Sequence, residues 1–290
     1  MNDRHRINNN EISSHRMDVL IEQVINEYIG GVRYSNGGDE YYTREENIVS
    51  ELSHYNLEGK IIYCNCDNPT ISNFYKFFKK NFNDLCLSGL YATYYDENPR
   101  MYFFDGSREV SKAISSGRFQ DNVGILKKCD VIITNPPFSN SMPVELIKMA
   151  RKYGKHVIIV GPLSMAYQKE AFEMIKNNQL NMGYTSINNY DTLGNDVKKQ
   201  PTAWYTTMDV KKPHFYTRLK YGDSDYVKYD NFDAIDIPDY RKIPDDYDGY
   251  MGVSPRFLRH LDRNQFDIIA KLKPIINGKK KMEKYIIKRK

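Results

Sequence analysis

The chain has no apolar run approaching the roughly 20 residues that cross a membrane. Its polar start, MNDRHRINNNEISSHR, lacks the hydrophobic stretch a secretory signal requires. A membrane-spanning protein and a secreted precursor are therefore not expected, and the chain reads as cytoplasmic. Cysteine is scarce: Cys64, Cys66, Cys86 and Cys129 are all there are in 290 residues. Their positions in or beside apolar stretches predict reduced core residues and not a disulfide framework. Cys64-x-Cys66 is half of a zinc pair, but no second Cys/His pair has zinc spacing, so no metal site is expected. The lone Trp204 reads as core.

Composition is otherwise ordinary for a globular protein, 40% hydrophobic and 27% charged. The net charge of +5 is unevenly spread: residues 251–290 hold 12 Lys+Arg against 3 Asp+Glu, which leaves −4 for residues 1–250. Most of that positive character lies in GKKKMEKYIIKRK, residues 278–290. A run this dense is expected to meet solvent or nucleic-acid phosphate, with the YII triplet (285–287) as a candidate edge strand.

Residues 1–16 read as a polar tail and MDVLIEQVINEYI (17–29) as a helix. Thr43-x-x-Glu46 has the spacing of a capping box for a second helix. From Lys60 onward short apolar runs alternate with helical periodicity. KIIYC, LCLSGLYA, MYFF, CDVIIT and HVIIVG read as strands. TISNFYKFFKK, NVGILKK, PVELIKMARKY and AYQKEAFEMIKN read as helices. That alternation predicts an α/β protein with a doubly wound, mostly parallel sheet. TAWYTTMDV and HFYTRLKY follow as further strands. The expected division is a core over 17–212 and a smaller, tyrosine-rich C-terminal region over 213–290. In open sheets of this kind ligands sit at the carboxyl ends of the strands. Cys64-Asn65-Cys66-Asp67 and Asn135-Pro136-Pro137-Phe138 both end predicted strands and are expected to share one cleft.

Two consecutive prolines stop a strand and fix a rigid corner. What that corner offers is the side-chain oxygen of Asn135, the carbonyl of Pro136 and the flat ring of Phe138. Two acceptors placed on the two N–H groups of a planar exocyclic amine favour a pyramidal nitrogen and free its lone pair for an electrophile. An aromatic ring beside them gives the base a stacking surface. No general base is needed, because the alkylated ammonium is acidic enough to lose its proton to solvent. The same acceptor geometry serves adenine N6, guanine N2 in RNA or a glutamine amide in a protein. A non-catalytic relative that keeps the fold is a further alternative.

The runs KIIYCNCDNPTISNFYKFFKKNF, DEYYT, LKKCDVIITNPPFS, YDNFDAI, KIPDDYDGYMGV and NQFDII together resemble the EcoRI-type adenine-specific DNA methyltransferases. The resemblance runs from about Asp39 to the C-terminus. It implies a class I, Rossmann-like fold, S-adenosylmethionine as cofactor, double-stranded DNA as partner, and a flipped-out adenine methylated at N6. It also implies a DNA-recognition role for residues 213–290 and a setting in a bacterial or phage-infected cell, with a cognate restriction endonuclease as a candidate partner. Asn135, Pro136, Pro137 and Phe138 match the family's catalytic motif. Tyr42 and Thr43 match its N-terminal cofactor motif. Cys64, Asn65, Cys66 and Asp67, with Pro69 behind them, match its first cofactor loop, which lacks the glycines common in other methyltransferases. There the resemblance makes Asp67 the partner of the cofactor's ammonium group, against a simpler role as a helix cap. Phe119 belongs to a third cofactor segment, where the family's Gly-Asp-Phe is Gly117-Arg118-Phe119 here. Asp121 and Asp105 are candidate replacements for the missing acid. Segments before Met101 and after Asn195 are shorter than the family norm, so DNA contacts there are expected to differ.

Overall fold

The computed structural model describes residues 42–95, 97–138, 142–187, 190–191, 197–198 and 201–290. The expected polar tail and the helix at 17–29 lie outside these residues.

In chain order the core comprises β1 (Tyr42–Thr43), α1 (Glu45–Leu52), β2 (Ile61–Asn65), α2 (Asn73–Lys80), β3 (Gly89–Thr93), β4 (Arg100–Phe104), β5 (Glu109–Ala113), α3 (Val123–Lys128) and β6 (Val131–Thr134). It continues through α4 (Met142–Lys152), β7 (His156–Pro162), α5 (Lys169–Lys176), β8 (Asn181–Met182), β9 (Tyr190–Asp191), β10 (Val197–Lys198) and β11 (Thr202–Thr206). An eight-stranded sheet has the order β5-β4-β3-β2-β6-β7-β11-β8. Its central strands β3, β2, β6 and β7 are mutually parallel. Both edges turn antiparallel, β4 and β5 on one side and β11 and β8 on the other. The expected parallel alternation thus holds in the centre and fails at MYFF, which pairs back on β3 instead of crossing over.

Period-two alternation decides what each face buries. Ile62 and Cys64 of β2, Val131 and Ile133 of β6, and Ile158 and Val160 of β7 face α1 and α2. Tyr63, Ile132, Val157 and Ile159 face the opposite way, toward α3, α4 and α5. In α2 the inward Phe74, Phe77 and Phe78 lie three and four apart, one side of a helix. Trp204 is fully buried beside Phe74, with ring centroids 5.9 Å apart, as expected of a core residue.

The remaining chain forms a four-stranded sheet ordered β12-β13-β17-β14. Its strands are β12 (Ala234–Asp236), β13 (Tyr250–Val253), β14 (Phe266–Leu272) and β17 (Lys284–Arg289), and a separate hairpin joins β15 (Ile275–Ile276) to β16 (Lys279–Lys280). Ile235, Met251, Tyr285 and Ile287 enter the same buried cluster as α5, so the two sheets share a core.

Several expectations fail for local reasons. HFYTRLKY is not a strand; its backbone N–H groups are taken by side chains, Phe215 N by Gln265 Oε1 (2.6 Å) and Arg218 N by Asp245 Oδ2 (2.7 Å). The capping box is absent. Arg44 occupies the N-cap of α1 without a side-chain bond, and Thr43 belongs to β1. Cys64 and Cys129 are core, but Cys66 is half-buried and Cys86 exposed. The basic end is not a free tail. Tyr285, Ile286 and Ile287 are fully buried, and β17 lies between β13 and β14, a central strand and not an edge.

Candidate active site

Among the central parallel strands, chain order and sheet order disagree at one place. From β2 the chain moves outward to β3, whereas β6 and β7 lie on the other side of β2. The carboxyl ends of β2 and β6 therefore diverge into a crevice, the position where doubly wound sheets take ligands. The two sequence motifs occupy its two walls.

On the β2 wall the chain turns sharply at Cys66, which has a positive φ of 64°. This left-handed turn, made without glycine, swings Asp67 inward, where the Asp67 N–H donates to the Thr93 carbonyl at the end of β3 (3.2 Å). The buried Asp67 carboxylate accepts from Ser72 Oγ on one oxygen and from Thr134 Oγ1 on the other, both at 2.6 Å. Thr134, the last residue of β6, immediately precedes Asn135. Its single hydroxyl proton has a second acceptor in reach, the Asn65 carbonyl. One side chain thus ties the first loop to the strand that carries the Asn-Pro-Pro-Phe corner.

Ser72 is also the N-cap of α2, accepting from the N–H groups of Phe74 (3.1 Å) and Tyr75 (3.3 Å). Asp67 is consequently not the helix cap; it holds the residue that is. Asn73 next door donates to the Thr43 carbonyl (2.9 Å) and brings β1 into the group. A continuous series, Thr43–Asn73–Ser72–Asp67–Thr134–Asn135, joins three of the expected segments. Thr43 Oγ1 and Asn65 Nδ2 are buried there with no hydrogen-bond partner among the described residues. Orphaned buried polar atoms are costly and call for a ligand or solvent.

Burial pushes the Asp67 carboxyl up to about 7, against the opposing pull of the Ser72 and Thr134 hydroxyls. Burial, with the Asp67 charge in second place, pushes the Cys66 thiol up to about 12. Burial raises the Cys64 thiol as well, so both cysteines of the loop are protonated near neutrality and the buried acid on this wall is Asp67. A buried carboxylate of raised pKa is relieved by a bound cation. The acid and the orphaned polar atoms suit the ammonium and polar groups of an amino-acid-bearing cofactor.

The corner itself has Asn135 half-buried with its side-chain oxygen buried, Pro136 buried and Pro137 exposed. Phe138 is half-buried against the cluster that includes α2. Tyr42 is half-buried and pairs through β1 with β9. Phe119 differs from these. Its ring is 5% exposed and packs with Tyr63 and Leu126 in the core on the other side of the sheet. What brings its segment to the crevice is Gly117, where a Cβ would overlap the Tyr94 carbonyl just past the end of β3. Asn122 then pins the loop by donating to the carbonyls of Ser116 (2.9 Å) and Arg118 (2.7 Å). Asp121 is exposed on this loop. Asp105 is excluded from the crevice: it follows β4, which runs antiparallel to β3, and so caps a turn at the opposite end of the sheet. Ser72, Asn73 and Thr134 were not singled out in the sequence. Ser72 before an apolar helix was a readable cap signal, whereas Thr134 looked like one more β-branched strand residue.

A cavity of about 400 Å³ opens on the outer side of α2 near Pro69 and Thr70, but its cations are already engaged. Lys79 pairs with Glu109 (2.7 Å) and Lys80 with Glu45 (3.3 Å). The acid and the corner lie at the crevice instead.

Fold and crevice define an α/β protein with a buried acid at the carboxyl end of β2, hydrogen-bonded to the residue that precedes the Asn-Pro-Pro-Phe corner. The sequence matches the family described as adenine-specific methyltransferase EcoRI over residues 34–117 and 109–290, and the chain belongs to that family. It is 32% identical to the type II methyltransferase M.EcoRI of Escherichia coli, over 87% of this chain and 93% of the relative. The type II methyltransferases M.MpnI of Mycoplasma pneumoniae and M.MgeORF184P of Mycoplasma genitalium are 29% and 28% identical, each over 80% of this chain and 82% of the relative. No solved structure matches. Among the described residues no helix is long and apolar enough to cross a membrane.

Proposed function

We propose that the chain is a class I, Rossmann-like methyltransferase that uses S-adenosylmethionine to methylate N6 of an adenine swung out of duplex DNA. What supports this reading is the Asp67–Thr134 link across the β2–β6 crevice, which puts a cation-seeking acid one residue from Asn135. The cofactor, when bound, supplies a methyl group on a positively charged sulfur; all other requirements fall on the chain. Asp67 holds the ammonium group, with Tyr42, Thr43, Cys64, Asn65 and Cys66 forming the surrounding wall. The Phe119 segment borders the adenine end. Asn135 Oδ1 and the Pro136 carbonyl accept the two N–H bonds of the target amine and free its lone pair. Pro137 fixes the direction of that carbonyl, Phe138 stacks on the base, and the surplus amine proton leaves to solvent. Residues 213–290 supply DNA recognition. In the cytoplasm of a bacterial or phage-infected cell the product would protect sites from a cognate restriction endonuclease.

The test is incorporation of labelled methyl into duplex DNA, with the modified nucleoside identified after digestion. Wild type should give N6-methyladenine. Asn135→Ala should lose on the order of 100- to 1,000-fold in rate while still binding cofactor, as expected for one preorganised group at a reacting centre. Label appearing only in RNA or protein, or an Asn135→Ala variant with most of its activity, would refute the reading.

A further inference from the structure

The cations of residues 271–290 differ in their partners; Lys273 and Lys288 are exposed without an ion pair among the described residues, and Lys288 lies over the Tyr250 ring. Lys271, Lys284, Arg289 and Lys290 have acid partners: Glu283 (3.7 Å), Asp236 (3.2 Å), Asp245 (3.1 Å) and Asp267 (3.3 Å). No ion pair among the described residues engages Lys279, Lys280 or Lys281, and all three are exposed. Beside them, Met282 is 77% exposed, the most exposed large apolar side chain among the described residues.

These residues sit on the β15–β16 hairpin. Asn277 and Gly278 both have positive φ, 49° and 72°, and Ile276 pairs with Lys279 across them. That is the two-residue Asn-Gly turn which matches strand twist. The hairpin is also braced. Asp230 accepts from Gly278 N (2.8 Å) and donates its own N–H to the Ile275 carbonyl (2.7 Å), and Asn231 Oδ1 accepts from Ile275 N (2.8 Å). An ordinary solvated charge run needs no such scaffold.

Its placement supplies the second argument. The hairpin rises where β14 ends and β17 begins, with Leu272 opposite Lys284. That junction is fixed to the turn Leu163–Tyr167: Tyr167 Oη donates to the Glu283 carbonyl (2.7 Å), Lys271 Nζ to the Tyr167 carbonyl, and Tyr285 Oη to the Ala166 carbonyl. The turn directly follows β7, the parallel neighbour of β6, so it lies at the same end of the sheet as Asn135.

We propose that this hairpin is a backbone clamp: Lys279, Lys280 and Lys281 neutralise phosphates of the duplex flanking the target base. The inference rests on duplex DNA being the substrate. Phosphate contacts position a protein without reading sequence, whereas each neutralised phosphate releases a counterion and steepens salt dependence.

The experiment compares full-length wild type with the triple variant Lys279→Gln/Lys280→Gln/Lys281→Gln on random-sequence duplex DNA over a salt series. Three lost contacts should reduce the log–log salt slope by about 2.7 and weaken binding on all sequences alike. The melting temperature should be unchanged, and Lys→Arg at all three positions should restore the slope. A control triple, Lys127→Gln/Lys128→Gln/Lys152→Gln, alters exposed lysines in the last turns of α3 and α4. It lies at the amino ends of the parallel strands and should leave the slope as it was. A wild-type slope in the hairpin variant, or an equal loss in the control, overturns the clamp while methylation of DNA stands. A wild type that neither binds nor methylates duplex DNA overturns the underlying reading and the clamp with it.

Discussion

Asp67 gives the most demanding test of the crevice, because its charge state and its partner are linked. With its carboxyl pushed up to about 7, a substantial fraction is protonated at neutral pH in the free protein. A cation bound against it selects the ionised form, so binding must expel a proton. Release from Asp67 should therefore be largest below neutrality and fade as the pH rises past about 7. The Thr134 hydroxyl donates to the ionised carboxylate, and a hydrogen bond to a charged group is worth roughly 1.5–3 kcal/mol. Thr134→Val keeps the shape and removes the donor. The carboxyl should then climb by about one to two further pH units, so that nearly a full proton is expelled near pH 7. Calorimetry in buffers of different ionisation enthalpy measures this release directly. Wild type and Thr134→Ser should agree, Thr134→Val should release more near pH 7, and Asp67→Asn should release none from this site. Proton release that is absent in wild type near pH 6, or identical in wild type and Thr134→Val, would refute the reasoning. The same raised carboxyl bears on stability. A folded value above the unfolded one favours the fold at low pH, and that contribution fades as pH rises from about 4 through about 7. Asp67→Asn should therefore melt higher than wild type above neutrality even as it loses cofactor.

Gly117→Ala should displace the 116–122 loop, because the added methyl overlaps the Tyr94 carbonyl. A lower melting temperature and weakened cofactor binding are expected, and wild-type values for both would show that the loop yields freely. Deleting residues 284–290 removes a strand paired on both sides, and with it the fully buried Tyr285, Ile286 and Ile287. Burying each such side chain is worth roughly 1.5–3 kcal/mol, so the truncated chain should fail to give a cooperative melt. A normal melt would mean that β17 is dispensable.

The fate of β17 shows where sequence reading stops. Its pattern KYIIKR carries a short apolar triplet inside a cationic run, and charge density suggested a solvated end. The triplet wins because the cations around it have places outside the core: Lys284 reaches Asp236, exposed Lys288 lies over the Tyr250 ring, and Arg289 reaches Asp245 and the Pro244 carbonyl. Those acids lie about 45 residues away in sequence, beyond the reach of any local pattern. Local pattern was enough for the central strands, because β2, β6 and β7 are buried on both faces and read as continuous apolar runs. At the edges of the sheet it was not enough. A strand such as MYFF does not encode whether it crosses over or folds back.

The crevice divides in the same way. Asn135 to Phe138 were legible because two prolines after a buried strand have few structural uses, and the Cys64–Asp67 loop was legible as a strand terminus. Their connection was not, since it depends on Thr134, whose hydroxyl looks no different in sequence from a methyl. Most α/β crevices turn their first loop on glycines. This one turns on Cys66 in a left-handed conformation, which costs an ordinary residue roughly 1–2 kcal/mol. That strain, the orphaned Thr43 and Asn65 atoms and the desolvated Asp67 carboxyl all oppose the free protein and all lie on one wall. A cation and polar groups placed against that wall relieve the last two together. Because Thr134 joins the wall to Asn135, the same event fixes the end of β6. On the proposed function, cofactor binding and alignment of the Asn135 corner form one hydrogen-bonded unit, and loss of the Thr134 hydroxyl should be felt at both ends.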